Sequence, residues 1–233
     1  MAGDRSGKAC ALTVLSPIKD GHTADAVAYA DLVRSRLQGW NAEPNSPMAL
    51  VPETYLCRYF VLDDVYVQSL PGAGVLDTLS DLLPSVPDAL RRATVPAEDH
   101  LASRYLVFSS NFHGGPLGDL DGYLRGMWRA IGDRVREVWG YCWGFDAVTD
   151  ADSFVAYMKR CRLPAALFFV GSNDEALAEQ LKALYLKQEF ARFAVENQGL
   201  DAATLRARLQ AFMRRTAPAD LSGPSWPAGR YAL

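Results

Sequence analysis

Ser103-Arg-Tyr-Leu-Val-Phe-Ser-Ser-Asn-Phe112 runs directly into His113-Gly-Gly-Pro116. From there the chain reaches Gly140 through Leu120, Leu124, Met127, Trp128, Ile131, Val135 and Val138 at three- and four-residue steps. The β-branched and aromatic content of the first stretch predicts a strand. Gly-Gly-Pro cannot continue it, because glycine opens positive φ and proline has no ladder donor. The following periodicity predicts an amphipathic helix, with Arg125, Arg129, Asp133, Arg136 and Glu137 on its other faces. Strand, tight turn and helix form half of a β-α-β unit, so the flanking sequence decides the fold.

Upstream, Ala9 to Ile18 reads as a strand ended by Pro17 and the Lys19-Asp20-Gly21 turn. Ala26, Tyr29, Ala30, Val33 and Leu37 predict a helix over Thr23 to Leu37, stopped by Gly39. Thr54 to Asp63 is a second strand with Arg58 in its middle. A long excursion, Gln68 to Glu98, with a short helical pattern at Leu76 to Leu83, joins it to the third. Downstream come a short helix over Asp152 to Cys161 and a buried-looking fourth strand, Ala165 to Gly171. Ser172 and Glu175 have capping-box spacing before a helix from Asp174 toward Asn197, and Asp201 caps a last helix carrying Leu205, Leu209, Phe212 and Met213.

The order β-α-β-β-α-β with trailing helices predicts an α+β, ferredoxin-like fold: an antiparallel sheet with two helices on one face and additional C-terminal helices. It reads as one domain over 1–216 with a Pro- and Gly-rich tail over 217–233, which Trp226 and Tyr231 would pin. Leaving the other face of the sheet in water would cost about 25 cal/mol per Å² of apolar surface, so a homodimer is expected.

The chain has 233 residues, 49% hydrophobic and 22% charged, an ordinary globular balance that supplies a sizeable core. A formal charge of -3 gives no general attraction to nucleic acid or anionic lipid, leaving only local pairs such as Arg91-Arg92 and Arg214-Arg215. Apolar runs such as Ala165 to Val170 fall far short of the ~20 residues a membrane span needs. The start of the chain has no cleavage pattern of the A-x-A kind, so a cytoplasmic protein is expected. Cys10, Cys57, Cys142 and Cys161 are scattered without a C-x-x-C pair and read as free thiols, with no metal-ligand spacing. Phosphate-cradling, dinucleotide and nucleophile-elbow motifs are absent from the sequence.

The element order over about residues 9–200 resembles the dimeric α+β barrel superfamily, which includes cofactor-free monooxygenases, polyketide cyclases, and haem-binding chlorite dismutase and dye-decolourising peroxidase branches. Thr54-Tyr-Leu-Cys-Arg-Tyr59, Phe108-Ser-Ser-Asn-Phe-His-Gly114 and Tyr141-Cys-Trp-Gly-Phe145 are similar to a group of bacterial proteins related to it. In that group a histidine usually stands at the position of Tyr55, and an aspartate at that of His113. The resemblance implies a small-molecule enzyme, with haem as an alternative cofactor.

His113, at a strand end before a Gly-Gly turn, is the candidate general acid or base, set against a plain turn histidine in water. Arg58 must face solvent, pair with Asp63 or Asp64, or hold an anionic substrate oxygen. Ser110 and Asn111 are candidate hydrogen-bond donors to that oxygen. His22 and His100 read as surface residues, His22 with the alternative of an anion site near the first helix. An axial haem ligand would have to be His113, His22, Cys142 or Cys161. Trp128, Trp139, Tyr141, Trp143 and Phe145 would line an apolar pocket or simply fill the core. The leading expectation is cofactor-independent oxygenation, cyclisation or isomerisation of an aromatic or hydrophobic substrate in a pocket between sheet and helices. The alternatives are a haem-dependent peroxidase or oxygenase and a non-catalytic binding or assembly module.

Overall fold

The computed structural model describes residues 2–64 and 101–229. The Gln68–Glu98 excursion with its short helical pattern, Arg91-Arg92, His100 and Tyr231 lie outside the described residues. The architecture is α+β with an open antiparallel sheet. Its strands are β1 (Arg5–Ser6), β2 (Ala9–Pro17), β3 (Thr54–Leu62), β4 (Tyr105–His113) and β5 (Arg162–Leu163). The helices are α1 (Tyr29–Ala42), α2 (Leu120–Trp139), α3 (Ala151–Arg160), α4 (Leu177–Glu196) and α5 (Ala202–Thr216). β4 lies between β2 and β3 and is antiparallel to both, so β2 and β3 run the same way one strand apart. The short strands β1 and β5 share the other edge of β2, end to end.

Burial alternates along most of β2 and β4, as it must when one face of a strand packs on helices, with Ala9 and Val107, on the other face, also buried. Leu12, Val14, Leu106, Phe108 and Phe112 point into the helix layer. There Phe108 stacks on Tyr59 at 4.6 Å and meets Trp139 edge-on at 5.7 Å, while Phe112 stacks on Tyr123 at 3.9 Å. Trp139 is fully buried, and its indole N–H donates to Ser16 Oγ at 3.1 Å. The helix α2 carrying these residues is capped by Asp119, whose carboxylate accepts from the Gly122 N–H at 2.7 Å. Trp139 and Phe145 belong to the core, whereas Trp143 is exposed and Trp128 lies under the Arg136 guanidinium at 4.3 Å. The aromatic segment thus fills space and forms no common pocket.

Three expected elements differ. The first helix starts at Tyr29, because Ala26 takes φ of 59° and His22 bridges Ala28, which keeps the preceding residues in a loop. It runs through Gly39 to Ala42. The fourth strand is the two residues of β5, and Ala165–Gly171 is irregular, with Leu167 83% and Phe169 76% exposed. Pro164 has no donor, and β1 already occupies the edge of β2 at Ala9 and Cys10. The displaced segment bonds to side chains of that hairpin instead: the Ala165 N–H donates to Asp4 at 2.6 Å and the Val170 N–H to Ser6 at 3.4 Å. The Ser172–Glu175 capping box does not form, since α4 begins at Leu177 with Ala176 as its cap. A capping box stands instead at Asp150 and Ser153, opening α3.

Helices α4 and α5 pair through Phe190, Phe193 and Phe212, the last two 5.0 Å apart. Glu189 accepts from Arg192 at 2.7 Å and from Arg215 at 2.6 Å, linking the pair. Lys182 is 2% exposed and donates to the carbonyls of Thr216 and Pro224, each at 2.7 Å. The ammonium thereby caps the negative end of α5 and ties down the tail.

Candidate functional site

Strand pairing places the sequence candidates by row. On the face away from the helices the rows are Leu15–Val107–Phe60, Thr13–Ser109–Arg58 and Ala11–Asn111–Leu56. His113 ends the face, paired with Ala9. Arg58, Asn111 and His113 therefore stand on one surface, with Arg58 diagonal to Asn111. Arg58 is exposed and makes no ion pair or hydrogen bond among the described residues; Asp63 pairs with Arg34 and Arg104, and Asp64 accepts from the Leu101 N–H. The side chains of Ser109 and Asn111 are likewise unspent among the described residues. Leu56, 50% exposed, and Phe60, 48% exposed, flank Arg58.

Ser110 faces the other way. It is fully buried and shares a 2.6 Å hydrogen bond with Tyr123 Oη, which also meets Thr54 Oγ1 at 3.1 Å. Burial pushes the Tyr123 hydroxyl up to about 12, so it stays a neutral hydrogen-bonding partner in the core. Ser110 thus stabilises the sheet–helix interface and cannot reach an oxygen held by Arg58.

His113 is joined to a residue that sequence analysis did not select. A bulge between Thr54 and Leu56 turns Tyr55 toward the end of β4, and Tyr55 Oη lies 3.0 Å from His113 Nδ1. Tyr55 donates to the carbonyl of Glu175 at 2.7 Å, and His113 Nδ1 lies 3.0 Å from the carbonyl of Asp174. A carbonyl only accepts, so this geometry requires Nδ1 to carry the proton. Nε2 is left as the basic nitrogen, without a partner among the described residues. Burial, reinforced by the Glu53 carboxylate, pushes the Tyr55 hydroxyl up to about 12 and keeps it a donor. Lys8 completes the junction: its N–H donates to Asp174 at 2.6 Å and its ammonium pairs with Glu175 at 2.7 Å. The Lys8 N–H holds the Asp174 carboxyl below its ordinary value. Only the interruption of alternation at Tyr55-Leu56 hinted at this bulge in the sequence.

No protein-family model, curated protein or solved structure matches this chain.

Two of the candidate haem ligands, His22 and Cys142, are poorly placed for that group. His22 is exposed on its loop, with Nδ1 3.1 Å from the Thr23 carbonyl. Cys142 is fully buried, and burial pushes its thiol up to about 12, away from the thiolate a metal takes. None of His22, His113, Cys142 and Cys161 lines the cavities of about 500, 470, 710 and 340 Å³ formed by described residues. No cluster of three or more His, Cys, Asp or Glu side chains among the described residues is arranged to hold a metal ion, and no described helix is long and apolar enough to cross a membrane.

Proposed function

We propose that the chain is a ferredoxin-like, homodimeric small-molecule enzyme of the cytoplasm whose working surface is the open face of its sheet. The parallel relation of β2 and β3 around β4, with α1 between them in sequence, supports the split β-α-β reading. The observation that carries the functional reading is the row Thr13–Ser109–Arg58 beside Asn111, polar side chains left unspent on a strand face rimmed by exposed Leu56 and Phe60. An arginine in that setting is suited to an anionic or enolate oxygen.

A second copy is the natural cover. Three nine-residue strands present a footprint of about 30 by 14 Å, roughly half of the ~800 Å² per partner of a standard interface. The remaining area would come from the apolar side chains that α4 and α5 expose, such as Phe190, Val195 and Met213. Closure would exclude water and strengthen the Arg58 contact. The reaction class that suits these groups is oxygenation, cyclisation or isomerisation of an aromatic or hydrophobic substrate, with His113 Nε2 taking a proton while Arg58 and Asn111 hold the oxygen. The exposed α4–α5 pair also favours a second reading, an assembly module that docks a protein partner.

The deciding experiment is turnover across a panel of aromatic and enolisable substrates for wild type, Arg58→Met, His113→Ala and Tyr55→Phe. Loss in the first two variants with retention in Tyr55→Phe supports proton transfer at His113, because Tyr55→Phe loosens the same junction and keeps the imidazole. Equal loss in His113→Ala and Tyr55→Phe makes the histidine a strut and overturns its catalytic role.

A further inference from the structure

A cavity lies at the opposite edge of the sheet, where the N-terminal hairpin meets the turn between β4 and α2. The cavity holds about 470 Å³, within the range of small-molecule sites, and its lining includes Asp4, Arg5, Cys10, Phe112, Leu117 and Arg162. The turn is shaped for it. Gly115 and Gly118 take φ of 64° and 71°, which ordinary side chains resist, and a Cβ on Gly114 would sit 2.5 Å from Cys10 Sγ. Gly114 therefore serves close approach to Cys10, while Gly115 and Gly118 supply the positive φ of the turn, and Leu117, 92% exposed, stands at the cavity rim.

The charges in the lining do not cancel. Asp4 is 5% exposed, and its two carboxylate oxygens are taken by Arg162 and by the Ala165 N–H. Arg162 keeps its Nε buried without a partner, a cost that a ligand acceptor would relieve. Arg5 is held in place by the carbonyls of Gly7 at 2.7 Å and Pro116 at 2.5 Å, both neutral groups, so its positive charge is uncompensated in the cavity. The thiol of Cys10 adds no negative charge, since burial raises it above its ordinary value. One net positive charge remains, set against walls of Phe112, Leu117, Leu120 and Ala11. Phosphate would gain nothing from those walls, whereas a monoanion with an apolar body uses both features.

We propose that this cavity binds a small organic carboxylate, the carboxylate at Arg5 and Arg162 and the apolar body against Phe112 and Leu120. Arg5 and Arg162 pair with Cys10 and Val14 rather than with the open-face rows, and of the lining only Ala11 belongs to those rows, so the site stands or falls independently of the enzymatic reading.

Calorimetric titration of the full chain with benzoate, benzamide and inorganic phosphate tests it. Benzoate should bind saturably and at least tenfold more tightly than benzamide or phosphate. Arg5→Met, and Leu117→Glu, which sets a carboxylate at the rim, should each weaken benzoate at least tenfold; both positions are exposed, and the fold tolerates them. Arg58→Met, on the open face, should leave benzoate affinity unchanged. Benzoate binding no better than benzamide, phosphate binding as tightly as benzoate, or wild-type affinity in both cavity variants would overturn the proposal.

Discussion

Tyr55 and His113 meet across the bulged end of the sheet, with Oη and Nδ1 3.0 Å apart, and together they hold the two carbonyls that precede α4. The imidazole is therefore a mechanical part before it is a chemical one. Removing the hydroxyl in Tyr55→Phe takes away one of two donors to the Glu175 carbonyl, which keeps Gln180 Nε2 at 2.8 Å. A loss of about 1 kcal/mol is expected, read as a lower urea midpoint at unchanged slope. Hydrogen exchange should place the loosening at residues 174–181, with β2 and β4 untouched.

The core pair Trp139 and Ser16 gives a sharper expectation. The indole N–H is fully buried and donates to Ser16 Oγ at 3.1 Å, and Ser16 itself is fully buried. Ser16→Ala removes the acceptor and leaves the donor in apolar surroundings, which costs about 1–3 kcal/mol. Chemical denaturation measures the loss. A variant as stable as wild type would mean that another acceptor moves in, and the tryptophan emission would show the change of partner.

These pairs also mark what the sequence made legible. Strands β2 and β4 and helix α2 were readable because their patterns follow the packing: Leu12, Val14, Phe108 and Phe112 face the core at strand spacing, and Leu124, Met127, Ile131 and Val135 at helical spacing. The segment Ala165–Gly171 is also apolar and forms no strand, because the edge it would extend along is taken by Arg5–Ser6, a long-range competition for one row of backbone groups that no local pattern announces. Ser110, Asn111 and His113 were adjacent in sequence and equally eligible for a site, yet side-chain alternation sends Ser110 into the core and the other two to the open face. The Asp4–Arg162 pair was illegible for the same reason as the missing strand, since nothing local announces its partner.

If the open face is closed by a second copy, its rim should be sensitive to charge. Phe60→Lys places an ammonium in the row of Val107 and Leu15, next to Arg58 on the same face of its own strand. The folded monomer tolerates it, because Phe60 is half exposed. Sedimentation should show a dimer for wild type and a monomer for Phe60→Lys at micromolar concentration, with unchanged far-ultraviolet circular dichroism. A wild-type monomer at that concentration would remove the second copy from the functional reading.

Acid should separate the C-terminal helices from the sheet before the sheet itself melts. The Asp174 carboxyl is held below its ordinary value of 3.8, first by the Lys8 N–H, and the Glu189 carboxyl below 4.5, first by Arg215. A depressed carboxyl contributes stability above its unfolded value and loses that contribution as pH falls through the folded one. Both losses therefore fall at or below the ordinary carboxylate range, and both act on the junction of α4 or on its pairing with α5. The β2–β4 core is held by apolar packing, which does not titrate there. Hydrogen exchange corrected for intrinsic rate should thus show residues 174–216 losing protection as pH drops below about 4, while β2 and β4 keep theirs. Loss of protection in both regions at one pH would mean that the helices and the sheet unfold as a single cooperative unit, with the Lys8 junction carrying more of the stability than its exposed position suggests.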